Sequence, residues 1–340
     1  MWRNPGESGG GKETNGIDDD GNGYIDDVHG INAITGSGEP MDDDGHGSHC
    51  AGTIGAVANG GGPHVGVAWN VRLMGLKFIG SDGYGLTSDA ITCIDYAVAR
   101  GSKILSNSWG GGGYSQGLYD SIEAARDAGA LFVAAAGNDL SDNDVWENYP
   151  SNYDLENIIA VAALDRNDQL AWFSNYGANT VDLGAPGVDI YSCTAASDTS
   201  YDFYDGTSMA TPHVAGTAAL LKAAYPNANY IEMKQRLMAG RQVSSLVGNS
   251  VTGDALNAHV ALTHVSRFAN GSFEDGLNFW TSEGNLTYSS RGAYPGTDGE
   301  RCAVFNNGQK PPNGVLTQHF TTYPGENFTL DFNVGVLAFN

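Results

Sequence analysis

Residues 206–216 read Gly-Thr-Ser-Met-Ala-Thr-Pro-His-Val-Ala-Gly, and the rest of the chain is arranged around them. Ser208 stands at the entry of a run of small and apolar residues, Met209, Ala210, Val214, Ala215, Ala218, Ala219, Leu220 and Leu221, that predicts a helix to about Tyr225. Pro212 requires that helix to have just begun, because proline is tolerated in a first turn and breaks an interior. A serine so placed faces unpaired N–H groups and the positive end of the macrodipole, both of which favour negative charge. An oxyanion formed by serine attack needs that environment. For a Ser-Met-Ala standing alone, an ordinary capping serine on a buried helix would be the simpler reading, so other stretches must decide.

Length and charge bound the rest. The 340 residues suffice for one large domain and a smaller one without covalent staples. A balance of 16 basic to 39 acidic residues, net −23, excludes nucleic acid and anionic membrane as partners. Cys50, Cys93, Cys193 and Cys302 are too few for a disulfide scaffold, and their three full pairings stay open. No run of 18 apolar residues occurs, so no membrane-spanning helix is predicted. Residues 1–31 start with neither an apolar strand nor a charged-then-apolar leader, and the N-terminus reads as cut.

Residues 18–27, Asp-Asp-Asp-Gly-Asn-Gly-Tyr-Ile-Asp-Asp, read as a calcium loop. Asp18, Asp20 and Asn22 alternate as hard oxygen ligands, Gly23 makes the sharp turn, Tyr24 offers a carbonyl, and Asp26 holds the ninth position. The twelfth position is Val28 instead of glutamate, so the site calls for a ligand from elsewhere. The plain alternative is an acidic, water-solvated turn. Asp42, Asp43 and Asp44 read as calcium-binding or surface residues.

From Val65 onward short apolar runs alternate with helix-period stretches, which predicts a parallel sheet covered on both faces. The expected strands are Val71–Phe78, Lys103–Asn107, Leu131–Ala136, Ile158–Ala163 and Thr180–Leu183; the expected helices include Ser88–Ala99, Gln116–Ala128 and Tyr230–Ala239. His46 begins another apolar helix, with Cys50 four residues on and so on the same face. Ligands in such folds bind beyond the carboxyl ends of strands. There lie Gly83, Tyr84 and Gly85, and the run Ser108-Trp109-Gly110 with the glycines that follow, whose bare backbone a peptide could join as an added strand.

Taken together, these stretches resemble the subtilisin-like serine proteases, the subtilases. The eleven residues from Gly206 match the family's nucleophile motif, residues 46–52 (His-Gly-Ser-His-Cys-Ala-Gly) its histidine motif, and residues 134–139 (Ala-Ala-Ala-Gly-Asn-Asp) its oxyanion motif. The resemblance implies a three-layer α/β fold, Ser208 as nucleophile, His46 as general base and Asn138 as oxyanion donor. It implies that Gly83–Gly85 and Ser108–Gly110 sandwich the substrate backbone, that Tyr84 lines a pocket, and that Ala135 and Gly137 belong to the substrate cleft. Further matches are residues 149–164 and 185–190, as scaffold or pocket wall. It implies that Cys50 is a buried apolar side chain beneath His46, and that His49 and His213 support the site without moving protons. A secreted, calcium-stabilised endopeptidase acting on proteins or peptides is the implied whole.

One family element is missing from its expected place. The Asp-Thr-Gly or Asp-Ser-Gly strand that orients the histidine does not precede His46. We therefore read the peptidase region, residues 1–265, as N-terminally incomplete, with an inactive fragment, or a pseudoprotease binding peptides or surface carbohydrate, as the alternative. Beyond Phe268 aromatic and β-branched runs between Gly, Asn and Pro turns predict a partial, jelly-roll-like β-sandwich over residues 266–340, a structural appendage or a module for carbohydrate or a cell surface.

Overall fold

The run Ile158–Leu164, Ile-Ile-Ala-Val-Ala-Ala-Leu, has no polar position on either face, as a strand covered on both sides by helices must. It is wholly buried at the middle of the main sheet. The computed structural model describes residues 1–263 and four short strands beyond them, 281–283, 286–289, 302–305 and 315–317.

In chain order the first strands are β1 (Gly30–Asn32), β2 (Gly75–Lys77), β3 (Ile104–Asn107), β4 (Leu131–Ala135), β5 (Ile158–Leu164) and β6 (Leu183–Pro186). Then come β7 (Ile190–Cys193), β8 (Tyr201–Tyr204), β9 (Arg241–Gln242) and β10 (Asp254–Ala255). The helices are α1 (His46–Gly55), α2 (Thr87–Ala99), α3 (Gln116–Asp127), α4 (Thr207–Ala224), α5 (Tyr230–Met238) and α6 (Ala258–Thr263).

The main sheet has the order β3-β4-β5-β6-β10-β9, parallel throughout except for the β10–β9 pair. Strand β4 shows how its two faces are filled. Leu131 and Val133 pack with Ala210, Val214 and Leu221 of α4 and Met233 and Leu237 of α5. Phe132 and Ala134, on the opposite side of the pleat, pack with Ile94 and Ala97 of α2 and Leu118 and Ile122 of α3. The result is the expected three-layer α/β arrangement. It also buries α4 from its first turn, since Thr207, Met209 and Ala210 are all inaccessible.

Three departures from the sequence reading bear on the site. The expected strand Thr180–Leu183 shifts to β6 at Leu183–Pro186; just before it, Asp182 meets Ala160 with its N–H on the Ala160 carbonyl at 2.9 Å and its carboxylate on the Ala160 N–H at 2.7 Å. Only Gly75–Lys77 of the expected Val71–Phe78 forms β2, and its partner is the unexpected strand β1, paired in parallel from Gly30↔Gly75 to Asn32↔Lys77. Finally, β7 and β8 form an antiparallel hairpin packed on α1 that no apolar run announced.

The pair β1–β2 is a separate ladder: among the described residues β2 is not paired with β3, and each of these two has one edge without a partner strand. Their carboxyl ends nevertheless meet, with the rings of Phe78 and Trp109 edge to face at 5.0 Å.

The chain divides into two units, Met1–His264 and Val265–Asn340. In the second, β11 (Thr281–Glu283) pairs antiparallel with β14 (Val315–Thr317), and β12 (Leu286–Ser289) with β13 (Cys302–Phe305). The remainder of the expected sandwich lies outside the described residues.

Candidate active site

Ser208 is the second residue of α4 and Pro212 the sixth. Proline has no N–H, so the Ser208 carbonyl loses its helical donor four residues on. Two side chains take the vacated place. Ser108 Oγ donates to the Ser208 carbonyl at 2.8 Å and Cys50 Sγ at 3.4 Å, one from just past β3 and the other from α1. Two other elements therefore grip the backbone of Ser208. Its own hydroxyl donates back to the Ser108 carbonyl at 3.2 Å.

Asn138 lies three residues beyond the end of β4, exposed to solvent. Its Oδ1 accepts from the Thr207 N–H and the Thr207 hydroxyl, both at 2.9 Å. A backbone N–H can only donate, so this bond fixes which end of the amide is oxygen and leaves Nδ2 as the free donor. A Cβ added to Gly206 would lie 3.5 Å from Ser208 N and 3.7 Å from Asn138 Nδ2. Both donors thus border one small space that Gly206 keeps open.

His46 is the first residue of α1, half-buried. The turn before it is built by carboxylates: Asp44 accepts the His46 N–H at 3.1 Å, and Asp42 accepts from Asp44, Gly45 and Ser48 at 3.1, 3.0 and 2.7 Å. The carboxylates of Asp42 and Asp44 therefore accept N–H groups at the start of α1, whose N-cap residue is Gly45, while Asp44 remains at the surface; the Asp-x-Asp spacing before a helix was the available signal. Asp43 does reach the surface, where it pairs with Lys77 at 2.5 Å. Burial lowers the pKa of His46 from its ordinary value, and the charges of Asp44 and Asp42 partly restore it. The imidazole is consequently neutral and basic at neutral pH. No carboxylate among the described residues hydrogen-bonds the His46 ring.

One turn on, the Cys50 thiol is buried and pushed up to about 12 by that burial, so it remains a thiol. Cys93 and Cys193 are free as well. His49 is fully buried, stacks on Tyr204 at 4.3 Å, and ties α1 to the hairpin through the carbonyls of Ile190 and Asp202. His213 bonds back to the Met209 carbonyl at 2.8 Å. Burial depresses the pKa of both rings.

Tyr84 stands in a tight turn, Gly80 N–H to the Tyr84 carbonyl, with its side chain 80% exposed. Gly83 has φ 78°, and a Cβ on Gly85 would meet the Phe78 carbonyl at 2.4 Å, so both positions require glycine. Gly110 passes close to Asn148, whose Nδ2 would sit 3.1 Å from an added Cβ, and Trp109 Nε1 donates to Asn107 Oδ1 at 3.1 Å. Ala135 is buried at the end of β4, and Gly137, at φ 112°, turns the chain toward Asn138.

The acidic loop gathers differently from the sequence pattern. Carboxylate oxygens of Asp18, Asp20 and Glu7 lie within 4.8 Å of one another, within the span of one cation. Glu7 is fully buried; its Oε1 accepts from the N–H groups of Asp19 and Asp20, while Oε2 has no partner. A buried carboxylate oxygen without a donor is what a bound cation would satisfy, and three hard oxygens suit calcium. Asn22 Nδ2 donates to Asp27 while its Oδ1 accepts the Tyr24 N–H at 2.7 Å, and the Tyr24 ring packs edge-on against Tyr96. The Asp26 carboxylate accepts the Gly16 N–H at 3.1 Å. The buried Asp27, not counted as a ligand, accepts from Asn4 and Asn22 at 2.8 Å each and from the Tyr96 hydroxyl, locking the loop to α2. Glu7 could have been found in the sequence only as an acid close before the loop.

The family model described as the subtilase family matches residues 11–278. The chain belongs to the subtilase family. It is 40% identical over 211 residues to subtilisin DY of Bacillus licheniformis, covering 62% of this chain and 75% of that protein. To the thermophilic serine proteinase of Bacillus sp. (strain AK1) it is 37% identical over 237 residues, 70% of this chain and 57% of the relative. With subtilisin-like protease 2 of Plasmodium falciparum it shares 36% over 203 residues, 58% of this chain and only 15% of the relative. Among solved structures, a cold adapted subtilisin-like serine proteinase superposes with a TM-score of 0.59 at 33% identity, covering 66% of this chain and 78% of that one. The three-layer sheet and the placement of α1 and α4 are thus a subtilase framework.

Proposed function

We propose that this subtilase chain carries the reacting groups of a serine endopeptidase. The observation that supports the reading best is the polarity of the Asn138 amide, held by Thr207 so that Nδ2 and the Ser208 N–H border the space beside Gly206. Ser208 Oγ turns from the Ser108 carbonyl toward His46, loses its proton to the imidazole, and attacks the scissile carbonyl carbon. The two N–H donors hold the oxygen that gains charge. His46 passes the proton to the leaving amine, and a water, deprotonated by the same ring, releases the acyl group. Gly83–Gly85 and Ser108–Gly110 flank the substrate as strands, and Ala135 and Gly137 line the cleft.

The imidazolium formed in the first step needs a carboxylate partner. We propose that it comes from a further parallel strand between the open edges of β2 and β3, where the unpartnered Asn107 Nδ2 is also buried. Calcium, in this reading, is held by Glu7, Asp18 and Asp20 and stiffens the loop. The protein works outside the cell, and its second unit is an appendage without chemistry.

The test is hydrolysis of a chromogenic peptide by the full-length protein, by Ser208→Ala and by His46→Ala. Each substitution should lower kcat by at least about a thousandfold, with loss of labelling by a serine-directed phosphonate in Ser208→Ala. Undiminished turnover in Ser208→Ala would end the reading.

A further inference from the structure

We propose that Asn175 is the positioning residue of the oxyanion donor, which rests on the assignment of Asn138 above. Asn175 is 1% exposed, and its N–H and both ends of its side-chain amide are used on the segment that carries Asn138, while its carbonyl accepts from Ser174 Oγ. Its N–H donates to the Gly137 carbonyl at 2.9 Å, and its Oδ1 accepts from the N–H groups of Asp139 at 2.8 Å and Ser141 at 3.1 Å. One residue thus holds both sides of Asn138, Gly137 through its backbone N–H and Asp139 and Ser141 through its side chain, and leaves Asn138 itself free to face Gly206.

The orientation of this clamp admits no alternative. Two backbone N–H groups can only donate, so the Asn175 oxygen must face them and Nδ2 must donate onward. It does so to Asn143 Oδ1 at 3.0 Å, and Asn143 Nδ2 donates in turn to the Ala136 carbonyl at 2.9 Å. A single direction runs from the end of β4 through Asn143 and Asn175 back to the loop. Asn148 Nδ2 shares the Ala136 carbonyl at 3.0 Å. Gly137 belongs to the device: at φ 112° it is in the region that favours glycine, and a Cβ there would come 2.4 Å from Asn175 Nδ2. The glycine is needed so that the amide can pass directly behind the loop.

Preorganised donors stabilise charge because they need not reorient during reaction. Thr207 sets the rotation of the Asn138 amide, and Asn175 sets the position of the backbone from which it projects. Displacing that backbone should weaken the transition state while leaving the substrate strands, and so ground-state binding, in place.

The experiment is a double-mutant cycle on peptide hydrolysis by the full-length protein: wild type, Asn138→Ala, Asn175→Ala and the pair. We expect Asn175→Ala to lower kcat about 10- to 100-fold with KM within about threefold, since a misplacement near 1 Å can cost a hundredfold. In the Asn138→Ala background the same substitution should cost less than about twofold, because it acts through Asn138. Equal losses in both backgrounds, or a kcat unchanged by Asn175→Ala, overturn the assignment. Asn175→Asp keeps both acceptor bonds but sets a buried carboxylate oxygen against Asn143 Oδ1, so it too should lower kcat, and that loss should likewise vanish without Asn138. Should Asn175→Ala not fold, the cycle with Asn175→Asp decides on the same criterion. Turnover surviving in Ser208→Ala would refute the protease reading itself. Ser208→Ala inactive with both Asn175 variants at wild-type kcat would refute only the role of Asn175.

Discussion

Asp42→Ala should destabilise the protein measurably, and the structure sets the size of the loss. The carboxylate accepts three backbone N–H groups, from Asp44, Gly45 and Ser48, at 3.1, 3.0 and 2.7 Å. Bonds to a charged acceptor net about 1.5 to 3 kcal/mol each when no water can replace it. Asp42 is only half-buried, so water recovers much of this, and measured cap deletions cost about 0.5 to 2 kcal/mol. We take about 2 kcal/mol, the top of that range, because three donors are lost together. For a unit of this size that is a fall in Tm of about 4 to 8 °C. The pH dependence has a definite sign. Burial pushes the Asp42 carboxyl up, but the N–H groups of Gly45 and Ser48 outweigh it, and the folded pKa lies below the unfolded one. The stabilisation is therefore complete above the unfolded value and is lost as pH falls through the folded value. Thermal melts of inhibitor-blocked wild type, Asp42→Ala and Asp42→Asn should show the full gap at neutral pH, a closing gap in acid, and a smaller loss for asparagine, which still caps. An Asp42→Ala melt within about 1 °C of wild type at neutral pH would refute this role of Asp42.

The charge around His46 gives a second test: Asp44→Asn keeps the bond to the His46 N–H but removes a charge that raises the imidazole pKa, so the acid limb of kcat/KM should move to lower pH. An unmoved limb at low ionic strength would show that Asp44 is screened from the ring. At the acidic loop, calcium at a hundredfold excess over its Kd should add about 2.7 kcal/mol of stability, lost with chelator and lost in Glu7→Gln. A Glu7→Gln protein whose melt still responds to calcium like wild type would move the ion away from Glu7.

Long apolar runs were legible in the sequence because burial on both faces leaves no polar position to confuse the pattern. The strand expected at Ile158–Ala163 and found at Ile158–Leu164 is the clearest case, and the helices expected from His46, Ser88, Gln116 and Tyr230 start within one residue of those positions. What escaped were elements held by side chains reaching across the chain. Strand β1 has only three residues, beginning at Gly30 with φ 132°, and owes its existence to pairing with β2. The hairpin β7–β8 contains Ser192 and Asp202 and is placed by His49, well over a hundred residues earlier. The acidic cluster draws Glu7 from before the loop, while Asp26, in the left-handed conformation at φ 51°, accepts the Gly16 N–H. Alternating acids in a sequence describe a loop's composition, whereas its fold decides which oxygens converge.

Pro212 shows the same division at the nucleophile itself. From the sequence its only message is that α4 has just begun, since an interior proline would break the helix. In the structure its missing N–H has a second consequence: it frees the Ser208 carbonyl, which Ser108 Oγ and Cys50 Sγ then hold from two other elements. An ordinary helix satisfies its own carbonyls and so fixes its residues relative to one another only. Here one carbonyl is released from that internal accounting and used to fix α4 against α1 and the end of β3, the elements that carry His46 and the bare backbone after Asn107. The defect in the helix is what allows three separately folded motifs to be registered at Ser208.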